Sequence, residues 1–214
     1  MRKMRLHGKT IKFLFPPAFL LNMQLASLLA SLAEISFEVN WRVVALSVII
    51  IAVPFLLLKL EGRRNFKKEL LLDRKIVFTK TLVEALKLTA VIFFILIVQG
   101  FILQALGLLD NEVIARIISA QQPLTLLLGA VTLGPIGEEL LFRGYLLKRI
   151  GVVPQSVLFA VFHYGYGSVS EILAALGVGV LFGLYVQKNK SIYPVILAHA
   201  AYNSLAIIAV LWVA

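Results

Sequence analysis

Long apolar runs separated by short polar segments extend along the whole chain. Several of these runs reach the roughly 20 residues that a membrane-spanning helix needs. The pattern predicts about seven spans, at roughly 13–33, 43–60, 81–107, 122–147, 152–165, 171–187 and 193–213. The predicted fold is therefore all-α: residues 1–214 form a single membrane domain, built as a polytopic bundle of transmembrane helices.

The composition supports a membrane protein. Hydrophobic residues make up 60% of the 214 residues, well above the 45–50% apolar share that is typical of soluble domains. Cysteine is absent, which excludes a disulfide framework, a thiolate metal site and a cysteine nucleophile.

The net charge of +10 is distributed in a way that indicates membrane topology rather than nucleic-acid binding. Basic residues concentrate in the N-terminal tail and at roughly 59–80, and basic pairs follow spans four and six. Because basic loops stay in the cytoplasm, these segments and the N-terminus are predicted to be cytoplasmic. The loops at roughly 34–42, 108–121 and 164–171 would then lie outside. We expect an integral protein of the plasma membrane, with the lipid bilayer as a partner and no nucleic acid.

The basic segment between spans two and three, EGRRNFKKELLLDRKIVFTK, has a helical pattern of its own. Apolar Phe66, Leu70 and Leu71 recur there at helical spacing among basic residues. Such a segment suits an amphipathic helix on an anionic leaflet. A solvated charged loop explains the same residues equally well.

Two further patterns concern packing rather than chemistry. Ala175, Gly179 and Gly183 form a stripe of small residues on span six, which predicts close helix packing inside the bundle, with dimerisation as the alternative. The aromatic residues near the span ends, Tyr164, Tyr166, Tyr193 and Trp212, are predicted to be interfacial aromatics rather than substrate contacts.

Six polar side chains interrupt the apolar runs of the C-terminal half. They are Glu138, Glu139 and Arg143 in GPIGEELLFRG, His163 in LFAVFHYGYG, and His199 and Asn203 in PVILAHAAYN. An ionisable group at membrane depth costs at least about 2.5–3.5 kcal/mol, so such groups are rare without a function. A rise of about 1.5 Å per residue places the three segments' polar groups at roughly the same depth. We therefore predict one polar site in a catalytic core at 121–214, with the other spans and the basic loop at 1–120.

Helix geometry separates the two glutamates. Residues four apart share a helix face, whereas adjacent residues point about 100° apart. Glu139 and Arg143 are therefore predicted to pair, and Glu138 is free to face a cavity as a general base. A purely structural ion pair with a spare glutamate is the alternative. Pro135 just before them frees a helix carbonyl, which predicts either an irregular helix lining a wet cavity or an ordinary kink.

The histidines allow two chemistries. A divalent metal could be held by His163, His199 and Glu138, as in three-ligand hydrolytic zinc sites. Without a metal, Glu138 and His163 would activate water while His199 and Asn203 hydrogen-bond a developing oxyanion. The HExxH signature of helical zinc proteases is absent from the sequence, and spacing alone does not choose between the two.

The order EELLFR, FAVFH and HAAYN resembles the three motifs of the CPBP intramembrane proteases. These are the type II CAAX prenyl endopeptidases and their bacterial relatives, the Abi or bacteriocin self-immunity proteins. Their pattern of EExxxR, FxxxH and HxxxN/D matches Glu138, Glu139 and Arg143, then Phe159 and His163, then His199 and Asn203. The resemblance covers roughly 122–207. It implies an endopeptidase that cleaves a membrane-bound or lipidated protein or peptide, such as a prenylated CAAX protein, from a site open toward the cytoplasm.

The resemblance also implies roles for the matching residues. Glu138 and His163 would activate water, His199 and Asn203 would stabilise the oxyanion, and Glu139, Arg143 and Phe159 would support the site. Both a metalloprotease and a metal-free glutamate mechanism are attributed to this family. We favour the metal-free one, because the Asn203 amide suits an oxyanion better than a metal; a metal such as zinc stays open.

Two other functions fit the same polar cluster. A non-catalytic bacteriocin self-immunity or scaffold protein could keep the fold and bind a partner. A small transporter or proton relay could use the buried carboxylates. The complete set of motif residues favours the protease, since a scaffold has no need of all of them.

Overall fold

Helices account for all the regular structure in the computed structural model, which describes residues 40–213. In chain order they are α1 (Trp41–Leu60), α2 (Phe66–Glu69), α3 (Phe78–Ala105), α4 (Asn111–Ser119), α5 (Pro123–Ile150), α6 (Val152–Phe162), α7 (Val169–Asn189) and α8 (Tyr193–Val213). The predicted all-α class is confirmed. The predicted first span, at roughly 13–33, lies outside the described residues.

Five helices of the described part are long and apolar enough to cross a membrane: α1, α3, α5, α7 and α8. They correspond to the predicted spans two, three, four, six and seven. The predicted span five is α6, which has 11 residues and continues as a 3₁₀ turn over His163–Tyr166. Eleven residues rise only about 17 Å, against a hydrocarbon core of about 30 Å. The total of seven spans is therefore not confirmed.

The segments predicted to share one side of the membrane meet at one end of the bundle. At the basic end, Arg149 at the close of α5 forms an ion pair with Glu61 after α1. Arg74 donates from Nε to the Lys190 carbonyl at the end of α7, at 3.2 Å. The alternating direction of consecutive spans therefore agrees with the pattern of basic loops.

The opposite end is held by Asp110, between α3 and α4. Its carboxylate accepts hydrogen bonds from the hydroxyl of Ser168 and from the backbone N–H groups of Val169 and Ser170. These are free N–H groups in the first turn of α7, where a negative charge is also favoured by the helix dipole. Asp110 thus ties the α3–α4 loop to the start of α7.

The basic segment after α1 packs on the protein instead of projecting from it. Leu70 and Leu71 are buried, and Leu70 lies against Gly144 of α5. The Phe66 ring contacts Phe55 of α1, with centroids 5.9 Å apart. The apolar side chains that suggested a leaflet-bound helix therefore face the bundle, and the helical part, α2, has only four residues.

α5 is the most buried of the spanning helices, because half of the residues in its most apolar stretch are buried inside the protein. Its winding is irregular. Two stretches, Leu126–Leu133 and Glu139–Leu146, have five-residue π hydrogen bonding, and the α-helical stretch Gly134–Glu138 joins them. π turns of this kind are frequent at functional sites. The first motif therefore lies at a junction in the helix, next to Pro135, where the sequence predicted either an irregular helix or an ordinary kink.

Small residues bring α6 and α7 together. A Cβ added at Gly179 would lie 3.0 Å from the Cβ of Ser156, and one at Gly183 would lie 2.6 Å from Nε2 of Gln155. This confirms that the stripe on span six serves packing inside the bundle. Close approach of these helices brings His163, at the end of α6, beside the start of α7.

Candidate active site

Glu139 and Arg143 form the predicted ion pair in α5. Arg143 Nη1 lies 2.9 Å from Glu139 Oε1, and both side chains are fully shielded from solvent. Charge-assisted hydrogen bonds are about twice as strong as neutral ones, and a buried charge needs such a partner. The pair is therefore an internal part of the site rather than a surface contact.

Two phenylalanine rings enclose the Arg143 guanidinium. Its central carbon lies 4.2 Å from the ring centroid of Phe159 and 5.3 Å from that of Phe182. A cation over an aromatic face is attracted by the ring quadrupole, more strongly where water is excluded. Phe159, predicted as a supporting residue, thus connects the first motif to the second. Phe182 has no counterpart in the sequence motifs.

His199 connects the third motif to both glutamates. Its Nδ1 lies 2.9 Å from Glu139 Oε1, and its Nε2 lies 3.9 Å from Glu138 Oε2. Because a carboxylate only accepts hydrogen bonds, Nδ1 must carry a proton. The ring is therefore held with Nε2 directed toward Glu138.

His163 is oriented by its own helix. Its Nδ1 lies 2.8 Å from the Phe159 carbonyl, which can only accept, so this nitrogen carries the proton and Nε2 is left with a lone pair. The His163 ring also contacts the Phe159 ring, with centroids 4.6 Å apart. His163 is therefore presented as a base at Nε2.

Several polar atoms at the centre of the site have no hydrogen-bond partner among the described residues. They are Oε2 of Glu138, Oε2 of Glu139, and Nε and Nη2 of Arg143. Buried polar groups are nearly always satisfied by protein or by ordered water. The cluster therefore has the hydrogen-bonding capacity to hold water or a polar group of a substrate.

Asn203 lies one helical turn beyond His199 and contacts α5 rather than the ionic cluster. Its Nδ2 donates to the Ala130 carbonyl at 2.7 Å. One of its two amide N–H groups is occupied in this way. The other is left for a different acceptor.

Sequence reasoning missed two neighbours of the cluster. Glu171, in the first turn of α7, interacts electrostatically with Glu138, His163 and His199. Tyr166, predicted as an interfacial aromatic, has its ring centroid 5.7 Å from that of His163. Acidic residues are common in the first turn of a helix, where the helix dipole favours a negative charge. Nothing in the sequence therefore distinguished Glu171 from such a residue.

The positions of the described side chains do not support the metal alternative. Within 40–213, no group of three or more His, Asp or Glu side chains is arranged to hold a metal ion. Nδ1 of His163 and of His199 is hydrogen-bonded, which leaves Nε2 as the nitrogen of each ring that a metal could use, and the described His, Asp and Glu side chains are not brought together around one point. No step of the proposed mechanism is therefore routed through a metal.

One known family matches the part of the chain that carries the cluster. Residues 119–205 match the family described as type II CAAX prenyl endopeptidase Rce1-like. No match was found among curated proteins or among solved structures. The matched range spans α5 to α8 and contains every residue of the three motifs. Residues 119–205 are therefore similar to the Rce1-like type II CAAX prenyl endopeptidases, and the chain is a membrane protein that carries this stretch.

Proposed function

We propose that the chain is an intramembrane endopeptidase that hydrolyses a peptide bond of a membrane-bound protein or peptide. The observation that carries this proposal is the contact between residues of three separate motifs. Glu139 bonds Arg143 and His199, and the Arg143 guanidinium stacks on Phe159. The match of 119–205 to a family of endopeptidases supports the same activity.

Glu138 is the proposed general base. Its Oε2 is buried and accepts no hydrogen bond from a described residue, so it is able to accept a proton from a water molecule. His163 Nε2 offers a second acceptor, because Nδ1 is engaged by the Phe159 carbonyl. Water held by these two groups would lose a proton to Glu138 as its oxygen attacks the carbonyl carbon of the scissile bond.

His199 and Asn203 are the proposed donors to the oxyanion. Attack at the carbonyl carbon moves an electron pair onto the carbonyl oxygen, and donors aimed at this oxygen stabilise the transition state. Because Nδ1 already carries a proton toward Glu139, donation from Nε2 to the oxyanion would require the imidazolium form of His199. Glu138 then returns its proton to the departing nitrogen as the C–N bond breaks, which leaves a carboxylic acid and an amine.

The proposed substrate is membrane-bound or lipid-anchored. The ionic cluster lies within helices that are able to span a membrane, so a peptide must reach it through the bilayer or its interface. Prenylated CAAX proteins are the class that the family description names. The basic end of the bundle supports a cytoplasmic N-terminus and access to the site from the cytoplasmic side.

The test uses purified protein in liposomes with a fluorogenic farnesylated CAAX peptide and an identical peptide without the lipid. We expect cleavage by the wild type and a loss of about 10²–10⁴-fold in kcat for Glu138→Gln. Glu84→Gln is the matched control, since Glu84 pairs with Lys87 on α3 outside the cluster, and it should keep full activity. A folded Glu138→Gln protein that cleaves at the wild-type rate would contradict the proposal.

The same assay tests the metal-free mechanism. Chelator treatment should leave the rate unchanged, and metal analysis should find no stoichiometric zinc. Loss of activity on chelation that added zinc restores would contradict the metal-free mechanism, while proteolysis itself would stand.

A further inference from the structure

One carbonyl of α5 is left without a donor from its own helix. Over Leu126–Leu133 the hydrogen bonds span five residues, and the Gly134 N–H donates to the Gly129 carbonyl. In this register the next donor would be the N–H of residue 135, directed to the Ala130 carbonyl. Residue 135 is proline, which has no N–H. The Ala130 carbonyl therefore needs a partner from elsewhere.

Asn203 of α8 is that partner. Its Nδ2 lies 2.7 Å from the Ala130 oxygen, and an unsatisfied carbonyl at membrane depth is unfavourable enough that irregular helices recruit side chains in this way. A carbonyl acceptor also determines how the amide is turned. Asn203 must present its nitrogen to Ala130 and not its oxygen, so the amide plane and the direction of its second N–H are constrained.

We propose that Pro135 is a positioning residue that acts through Asn203. By withholding a helical donor from Ala130, Pro135 makes the Asn203 bond across to α5 necessary, and this bond holds the amide in one orientation. The use of the second N–H for an oxyanion rests on the proposed function. The coupling of Pro135, Ala130 and Asn203 does not, and it can be measured without any activity.

The first test is a double-mutant cycle on thermal unfolding of the full chain in detergent. Asn203→Ala should lower Tm in the wild-type background, because it strips the Ala130 carbonyl of its donor. In the Pro135→Ala background, the new N–H at residue 135 can take this carbonyl. The Tm loss caused by Asn203→Ala should then be at most about half as large. Equal losses in the two backgrounds would overturn the coupling.

Pro54 supplies the matched control, since it is also a proline inside a spanning helix, α1. The Asn203 side chain bonds α5 and not α1. Asn203→Ala should therefore lower Tm by the same amount in the Pro54→Ala background as in the wild type. A smaller Tm loss there would show that replacing a proline in another spanning helix also weakens the effect of Asn203→Ala, which would also overturn the proposal.

The second test separates positioning from support of the fold. Pro135→Ala should lower kcat by about tenfold, the effect of misplacing one hydrogen bond, with KM unchanged and Tm not reduced. Pro54→Ala should leave kcat unchanged. An unchanged kcat in a folded Pro135→Ala protein would refute the positioning role. A wild type without proteolysis would instead defeat the proposed function, and the unfolding cycle would still decide the coupling.

The wild type provides a further measurement if Pro135→Ala does not fold. In protein labelled with ¹⁵N-asparagine, the Asn203 carboxamide is identified by its loss in Asn203→Ala. One of its two N–H protons should be shifted downfield and exchange slowly, as a hydrogen-bonded proton does. Two equivalent, fast-exchanging protons would exclude the bond to Ala130 and with it the role of Pro135.

Discussion

One oxygen atom of Glu139 joins the first motif to the third. Oε1 accepts from Nη1 of Arg143 and from Nδ1 of His199, each at 2.9 Å. The carboxylate is fully buried, and a buried charge is tolerated only when it is paired and hydrogen-bonded. Glu139 therefore orients a proposed catalytic histidine in addition to neutralising Arg143. Its bond to His199 joins residues 60 apart in the chain, which no spacing rule could predict.

Replacing Arg143 alone should leave Glu139 buried without its counter-ion. We expect Arg143→Met to reduce the free energy of unfolding by about 3–5 kcal/mol, the usual result of breaking one side of a buried pair. The double variant Glu139→Gln/Arg143→Met removes both charges and should recover much of this loss. Denaturant or thermal unfolding in detergent measures both values.

Arg116→Met is the control for the loss of an arginine as such. Arg116 lies on α4, outside the spanning helices, and its Nε bonds the Glu112 carbonyl at an exposed position. The change should stay within about 0.5 kcal/mol. A double variant no more stable than Arg143→Met would show that packing around the guanidinium, rather than the unpaired charge, causes the loss.

At the scale of the helix, the π turns of α5 decide where the motif residues point. The α-helical stretch Gly134–Glu138 lies between two π stretches, so Glu138 and Glu139 fall on either side of a change in winding. Gly134 makes the first π turn possible, since a Cβ there would overlap the Gly129 carbonyl oxygen. The irregular winding therefore depends on a glycine and a proline at adjacent positions.

Gly134→Ala should damage this junction, whereas an alanine elsewhere in a spanning helix should not. We expect Gly134→Ala to destabilise the fold by about 1–3 kcal/mol through overpacking. The matched control is Gly100→Ala on α3, where a Cβ would meet no atom within 4 Å. There the higher helix propensity of alanine should stabilise by up to about 1 kcal/mol. Thermal unfolding of both variants tests this, and equal effects would contradict the packing account.

At the scale of the whole molecule, polar contacts connect the helices at each end of the bundle. Glu61, Arg74 and Arg149 connect α1, α5, α7 and the segment after α1 at the basic end. Asp110 connects the α3–α4 loop to α7 at the other. These contacts join the helix ends on each side of the bundle.

The stabilising effect of the Asp110 hydrogen bonds should depend on pH. Hydrogen bonding from Ser170, followed by that from Ser168 and Val169, lowers the pKa of Asp110 from 3.8 to about 2 against a smaller opposing effect of burial. A lowered folded-state pKa contributes stability that is fully present above 3.8 and is lost as the pH falls toward 2. Asp110→Asn should therefore lower Tm at pH 7, and its difference from the wild type should shrink between about pH 4 and pH 2.

Asp73→Asn controls for the loss of an aspartate, because Asp73 is exposed in the segment at the opposite end of the bundle. It should change Tm little at either pH. A Tm difference for Asp110→Asn that stays constant down to pH 2 would show that the negative charge of Asp110 does not contribute to stability.

The pattern of the sequence was sufficient for the helices and for the pairing within one helix. The lengths of the apolar runs predicted five spans that the described residues contain, and four-residue spacing predicted the Glu139–Arg143 pair. The same reasoning counted α6 as a membrane span, and it left a helix on the leaflet and a solvated loop equally open for the basic segment. Apolar residues next to a span look alike whether they face lipid or pack on a neighbouring helix, as Leu70 does against Gly144.

The sequence by itself determined the class of the protein, the directions of its spans relative to one another and the set of polar residues in its core. These follow from hydropathy and charge, which are properties of each segment taken alone. Only the tertiary structure decided that Glu139 holds His199, that Phe182 covers Arg143, and that Asn203 satisfies the carbonyl freed by Pro135. Such contacts depend on how each helix is rotated and shifted against its neighbours, and that is settled by the packing of whole surfaces at once.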